Sequence, residues 1–309
     1  MMTRAQYTDT QLTTMLPMLD EVIMGKFGQY PDQWKRIFRQ MTSSRSNEQT
    51  TGISGMGLFT TLNEGAAVSY DQPVQLFDKT YTHLDYAKGF KTSHQLIRDD
   101  KFGIIKRMAT ELGKSAKETR ELAHAATFNN GFTAGATAGP DGVALFSLTH
   151  PQVYTGGTQS NILATAADFD DDSLRLILTL MRQMKDQTGK RVRIPPRALV
   201  VPSDLEFTAG EVLKSRDRSD TANRAVNALQ YRDGFPAFTD FWCWDYLTDA
   251  DAWFVVCAPE DSELRHYQRE EPDTLHDVDF DTRSAKTAMW YAESFGWSDY
   301  LGLVGTPGA

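Results

Sequence analysis

The chain has 309 residues and only two cysteines. Two thiols cannot build a disulfide framework, and Cys243 and Cys257 are too far apart in sequence for a CxxC metal site. Each sits among apolar residues, Phe241, Trp242 and Trp244 around one and Phe254, Val255 and Val256 around the other. Both therefore read as reduced core thiols of a cytoplasmic compartment. Long hydrophobic runs are missing as well. Nothing approaches the roughly 20 apolar residues of a membrane span, and Asp9, Asp20 and Glu21 interrupt every candidate signal peptide. Excess positive charge is absent, the net charge being −9, which argues against nucleic-acid recognition as the main task.

Catalytic and cofactor motifs are also lacking. The six histidines, His83, His94, His124, His150, His266 and His276, show no HExxH spacing. There is no GxSxG elbow and no Walker loop. Gly52, Gly55 and Gly57 precede strand-like residues instead of joining a strand to a helix, the wrong setting for a phosphate loop. The acids Asp168, Asp170, Asp171 and Asp172 fall at a predicted helix start, where capping and the macrodipole account for them. No metal and no cofactor is expected.

What is present is ordinary in amount and uneven in arrangement. Hydrophobic residues make up 40% and charged ones 24%, enough for a substantial folded core. From Lys26 to Arg45 five basic residues face Asp32 alone, whereas from Asp233 to Asp281 fourteen acids face Arg265 and Arg269. Leu122 to Ala167 holds a single charged residue, Asp141.

One stretch dominates the rest. Arg98 to Asn130 reads as a long helix, opened by Asp99 and Asp100 and closed by Asn129-Asn130-Gly131. Its apolar stripe is Phe102, Ile105, Met108, Leu112, Ala116, Thr119, Leu122 and Ala126, interrupted by Gly113. Lys106, Arg107, Glu111, Lys114, Lys117, Glu118, Arg120 and Glu121 form the opposite, solvated face. At about 1.5 Å per residue this spine is longer than a compact core requires. Ahead of it, residues 1–51 read as an arm. Two short amphipathic helices carry Leu12, Met15, Leu19, Val22 and Ile23, then Trp34, Ile37, Phe38 and Met41, and a flexible polar stretch runs from Ser43 to Thr51. Phe59–Leu62, Ala67–Tyr70, Val74–Phe77 and Lys79–Tyr86 have strand character, with turns at Asn63-Glu64-Gly65 and Asp71-Gln72-Pro73. This is a long hairpin without a core of its own, marginal unless a neighbour covers it.

Beyond the spine, Asp170–Gln187 is a helix buried through Leu174, Ile177, Leu178, Met181 and Met184 and ended by Gly189. A strand Ala198–Val201 and a helix from Ser203 to Leu213, with Ser203 and Glu206 as a capping box, follow it. Lys214–Asp233 reads as an exposed mobile loop. Phe238–Ala258 gives two strands around Thr248–Asp251, and Leu264–Val304 reads as long antiparallel strands.

The order of these elements resembles the major capsid proteins of tailed bacteriophages, of the Mu-like major head subunit type. Four segments carry the resemblance. They are the hairpin through Lys88-Gly89-Phe90 into the spine; Asp141-Gly142 with Ala144–Ser147 and Thr149-His150-Pro151; the Asp170 helix with Ile194–Pro202; and Tyr246–Asp249, Trp253-Phe254, Asp279–Thr282 and Gly296–Tyr300. The resemblance implies an α+β fold: N-terminal arm 1–51, extended loop 52–97, spine helix of a peripheral domain 98–132, axial domain 133–258 and peripheral strands 259–309. Residues 1–51 hold no long charged coiled-coil segment, so a fused scaffolding domain is not expected, and a separate scaffold or assembly without one is left open.

By the same resemblance the chain is a structural subunit, not an enzyme, that assembles in the host cytoplasm into the capsid of a virion. Its partners are further copies of itself in pentamers and hexamers, packaged double-stranded DNA held non-specifically, and potential scaffolding, portal and decoration proteins. No membrane partner is expected. Expected subunit contacts are Glu64, Gly65, Tyr70, Asp71, Pro73 and Phe77 on the loop, with Trp34 and Phe38 on the arm. Lys35, Arg36 and Arg39 are the expected DNA-facing cations. Some relatives link loop lysines to asparagines covalently. Lys79, Lys88 and Lys91 are available donors here, but Ala228–Ala309 contains no asparagine, and Asn129 and Asn130 would need another geometry, so a non-covalent shell is expected. The rival readings are an encapsulin-like compartment shell and, in a different class, a soluble hydrolase.

Overall fold

A computed structural model describes residues 4–99, 103–133, 135, 139–215, 227 and 240–309. The first element is a helix, α1 (Arg4–Phe27), and the chain then turns through a 3-10 segment, Trp34–Arg36, into strand β1 (Arg39–Thr42). The second amphipathic helix expected here is replaced by this compact anchor, with Trp34, Ile37 and Phe38 all buried. The reason is local: three large apolar residues within five positions fill one core pocket more readily than one face of a short helix.

Strands β2 (Asn47–Ile53) and β3 (Gln75–Thr82) pair antiparallel and form the two legs of the hairpin. The polar stretch expected to be flexible is thus mostly strand, because Thr50 and Thr51 find partners in Lys79 and Asp78. Phe59–Leu62 and Ala67–Tyr70, expected as strands, are irregular and exposed. β-Branched and aromatic residues without a facing strand have no ladder to join. After His83 the chain changes sheet and becomes β4 (Leu84–Thr92).

The spine is two helices, α2 (His94–Asp99) and α3 (Ile104–Asn129). Gly103, with φ +63°, precedes α3 in a left-handed conformation, so the long helix starts after the position expected from Asp99 and Asp100. Asp100 and Phe102 lie outside the described residues. Ile105, Ala109 and Leu112 pack with Leu19 and Ile23 of α1 and with Met289. Gly113 is where α1 crosses: a Cβ there would lie 2.4 Å from the Ile23 carbonyl oxygen. The expected stripe fails over the last turns. Thr119 and Leu122 are exposed, while Arg120, Glu121, His124, Ala125 and Phe128 are buried.

The remaining strands form two four-stranded sheets. The first has the order β1-β10-β11-β4, where β10 is Leu264–Val278 and β11 is Ala285–Trp297. The second has the order β12-β9-β7-β8, from β7 (Ala198–Val201), β8 (Asp240–Cys243), β9 (Trp253–Val256) and β12 (Leu303–Thr306). β8 and β9 do not pair with each other; β7 lies between them, parallel to β8 and antiparallel to β9. β1, from the expected arm, joins the first sheet, and β12, from the expected terminal strands, joins the second.

Helices α4 (Asp171–Gln183) and α5 (Glu206–Lys214) cover the second sheet. α4 matches its sequence pattern: Asp170 accepts from the Ser173 amide in a reciprocal capping box, and Leu174, Ile177, Leu178, Met181 and Met184 are buried. It stops at Gln183, and Gly189 serves a later turn at φ +82°. The Ser203 capping box is absent, because Ser203–Leu205 is a 3-10 turn without a side-chain cap. A short hairpin, β5 (His150–Gln152) with β6 (Gly157–Gln159), completes the fold. Cys257 is buried and Cys243 half-buried, both as free thiols. The expected mobile loop lies largely outside the described residues. No described helix is long and apolar enough to cross a membrane.

Gly113→Ala should cost about 1–3 kcal/mol by overpacking the crossing of α1 on α3. Leu122→Asp, on an exposed position, should stay within about 0.5 kcal/mol. Urea unfolding of unassembled protein measures both, and the opposite ranking would place the buried face elsewhere.

Candidate assembly interface

The hairpin legs converge at Ser54 and Val74, and the residues between them form the projecting loop. Gly65, at φ +80°, allows the tip turn, which the Ala66 amide closes by donating to the Asn63 carbonyl at 3.0 Å. Met56, Leu58, Phe59, Leu62, Val68 and Tyr70 are all exposed, Tyr70 by 90%. Glu64, Gly65, Asp71 and Pro73 are exposed with them. Asp71 also accepts from the Gly57 amide at 2.6 Å, tying the two sides of the loop together. Phe77 lies at the root, half-buried against a cavity of about 210 Å³ shared with Trp297, Asp299 and Tyr300.

Trp34 and Phe38 belong to the chain's own core and present nothing to a neighbour. That corrects the expectation for both, since each completes a packed aromatic group: Trp34 stacks on His124 at 4.2 Å and Phe38 meets it edge-on at 5.1 Å. Lys35, Arg36 and Arg39 are exposed. Lys35 pairs with Asp32 at 2.6 Å, and Arg36 lies 5.4 Å over the Trp242 ring.

Behind Trp34 lies a buried polar cluster that the amphipathic reading missed. Arg120 donates from Nε to Glu293 at 2.6 Å and from Nη2 to Gln268, and its guanidinium lies 4.9 Å over Trp34. His124 Nδ1 sits 2.7 Å from the Arg120 carbonyl oxygen, which can only accept, so that nitrogen carries the proton. His124 Nε2 then accepts from His266 Nδ1 at 3.0 Å, and His266 Nε2 from Arg120 at 3.3 Å. The hydrogen bonds close a circuit. Ligand atoms of His124, His266 and Glu293 do lie within 4.8 Å of one another, as in a metal triad. The circuit nevertheless uses the lone pair of each imidazole, and Arg120 already supplies the cation. Lys117, expected on the solvated face, is nearly buried and pairs with Asp32; Glu121 accepts from the Gln33 amide at 2.7 Å.

Electrostatics follow from burial. His266 is pushed down to about 3 by burial, with Arg120 adding to the effect, and His124 is lowered well below its ordinary value. Burial raises Glu293 to about 7 against the pull of Arg120. Burial also works to raise Asp32, but Lys117 and Lys35 hold it below the usual carboxylate range.

The other motifs have structural uses. Asp170 caps α4, Asp171 pairs with Arg175 at 2.8 Å, and Asp168 accepts from the Ala309 amide at 2.9 Å. Lys88 donates to Ser115 at 3.2 Å. Asn129 donates to the Tyr246 carbonyl at 3.0 Å and accepts from the Thr248 amide at 3.1 Å, so its amide is held inside its own subunit.

A long helix laid on a sheet, a second sheet with its own helices and an exposed projecting loop make an architecture suited to a structural subunit that packs against further copies. The family model described as phage capsid protein matches residues 77–305. The chain belongs to that family of phage capsid proteins and is a structural protein, and neither the hydrolase nor the encapsulin-like reading is favoured. The match does not single out the Mu-like type. Among solved structures, a virus-like particle from Pyrococcus furiosus is 8% identical with a TM-score of 0.56, over 94% of this chain and 98% of that one. Mycobacterium phage Patience is 10% identical at 0.56, covering 94% and 87%. The procapsid of bacteriophage JBD30 is 14% identical at 0.52, covering 96% and 74%. No curated protein matches the chain.

The cluster makes stability depend on pH in two opposed ways. An unfolded histidine takes its proton near 6.5, whereas folded His266 takes one only near 3. Its contribution is therefore present above pH 6.5 and is lost as pH falls towards 3. Glu293 binds its proton at about 7 when folded, so its contribution is full below the unfolded value near 4.3 and is lost as pH rises through 7. In denaturant midpoints of unassembled protein from pH 7.5 to 4, His266→Asn should flatten the acid decline and Glu293→Gln should steepen it.

Proposed function

We propose that each copy lays its projecting loop, residues 54–74, over a neighbouring copy, so that pentamers and hexamers interlock into the shell. The observation that carries this reading is the loop's apolar surface: Leu58 is 80% exposed among the described residues. Burying such side chains contributes roughly 1.5–3 kcal/mol each, and a closed shell uses every loop once. Glu64, Gly65, Tyr70, Asp71 and Pro73 are the contact residues on this reading. The shell encloses double-stranded DNA, with Lys35, Arg36 and Arg39 towards the interior, and it forms in the host cytoplasm with portal and scaffolding proteins. The acidic balance of the chain suits a container that does not grip its contents.

Purified protein should form shells or capsomers by electron microscopy, and Leu58→Asp with Tyr70→Asp should abolish them while leaving the unfolding midpoint of the subunit unchanged. Light scattering that shows only a 34.7 kDa particle across salt and crowding conditions would sink the reading. Replacing Lys35, Arg36 and Arg39 by glutamine should lower the DNA retained per shell more than the yield of shells. Because Asn129 is held inside its own subunit, particles boiled in denaturant and reductant should release single chains, and a ladder of linked oligomers would overturn the non-covalent reading.

A further inference from the structure

We infer that the turn Asp186–Lys190 is a seat that fixes the base of the projecting loop and so sets the direction in which the loop leaves the body. The inference concerns the unassembled chain and does not depend on what the loop later binds.

The turn is built rigidly. Asp186 Oδ1 accepts from the Thr188 amide at 2.9 Å, the Thr188 hydroxyl at 2.7 Å and the Lys190 amide at 2.9 Å. The Asp186 amide donates to the Lys190 carbonyl at 2.7 Å, and Gly189 takes the left-handed conformation that closes the turn. Burial works to raise the Asp186 carboxyl, but these hydrogen bonds hold it below its ordinary value. The turn is rooted in the axial core: the Val192 amide donates to the carbonyl of buried Met184 at 2.9 Å, Lys185 bridges to Arg191, and Gln187 accepts from the Val153 amide at 2.8 Å.

The loop meets this turn with its first residues. Buried Ser54 pinches the legs together, its amide donating to the Val74 carbonyl at 2.9 Å and its hydroxyl accepting from the Val74 amide at 2.8 Å. At the next residue, Gly55, a Cβ would lie 3.2 Å from Asp186 Oδ2 and 3.7 Å from Lys190 Nζ. At the one after, the Met56 carbonyl accepts from Lys190 Nζ. At Gly57 a Cβ would lie 2.9 Å from Asp71 Oδ2. Close backbone approach therefore accounts for the glycines that resembled a phosphate loop: Gly55 seats the loop and Gly57 closes it. The base is fixed by four consecutive residues and the tip stays open, which is the arrangement that lowers the ordering cost of docking without covering the docking surface.

Hydrogen exchange on the unassembled chain, below the assembly concentration, tests the seat through the Ser54, Gly57 and Val74 amides. Lys190→Ala removes one charge-assisted hydrogen bond and should speed their exchange about ten-fold. Gly55→Val should do the same by pressing a side chain onto Asp186, and Lys190→Arg should keep wild-type protection. Amides of α4 and β7 should be unchanged in all three. Wild-type protection in both Lys190→Ala and Gly55→Val would overturn the inference. Loss of protection spreading through α4 and β7 would overturn it too, since the turn would then be part of the axial fold and not a seat. Shell formation is read separately, so failure to assemble with loop protection intact counts against the interlocking reading alone.

Discussion

An arginine that keeps only 4% of its surface exposed needs partners for its charge, and Arg120 imposes that requirement on the parts around it. Breaking a buried charge pair by removing one partner costs about 3–5 kcal/mol. Glu293 brings β11 to the spine helix, His266 and Gln268 bring β10, and Trp34 brings the N-terminal segment as a ring beneath the cation. The position of each is therefore conditional on the others. His124 completes the set from within the helix by returning its proton to the Arg120 carbonyl.

The body and the loop solve opposite problems. In the body, three apolar cores leave Trp34, Phe128, Phe254 and Leu303 without contact with water. The loop carries comparable side chains and no core, so its lowest free energy lies in contact with another molecule. The fold separates these regimes at Ser54 and Val74, where the last ladder hydrogen bonds stop.

Where one physical rule acted alone, the sequence was readable. The α4 helix combined a capping aspartate with a clean apolar period and was found with its buried face intact. β7 was a short apolar run behind two prolines, and β10 and β11 alternated as antiparallel strands do. The misses came from tertiary partners that no local pattern encodes. Arg120 and Glu121 look like a solvated face until Glu293 and Gln33 are placed beside them. Trp34 and Phe38 look like half of an amphipathic helix, yet a pocket between α3 and β10 takes both. Leu122 looks buried because leucine usually is, yet it is 47% exposed. The exposure of the loop residues was legible because a hairpin without a core of its own has nothing to cover it, whereas nothing local distinguishes an arm from an anchor.

The pairing of β1 with β10 joins Arg39 to Arg265, and β4 meets β11 as Thr92 meets Ala285. Such contacts close very long loops, and that entropy has to be met before the contacts repay it, which places this chain among slow folders. Throughout that interval the loop's apolar side chains are already exposed, because they never belong to the subunit's own core. Folding and association therefore compete from the moment of synthesis: the surface proposed to link mature subunits can equally join immature ones. Yield in such a system is governed by how fast the sheet closes relative to how often two chains meet, so the productive route weakens as chain concentration rises.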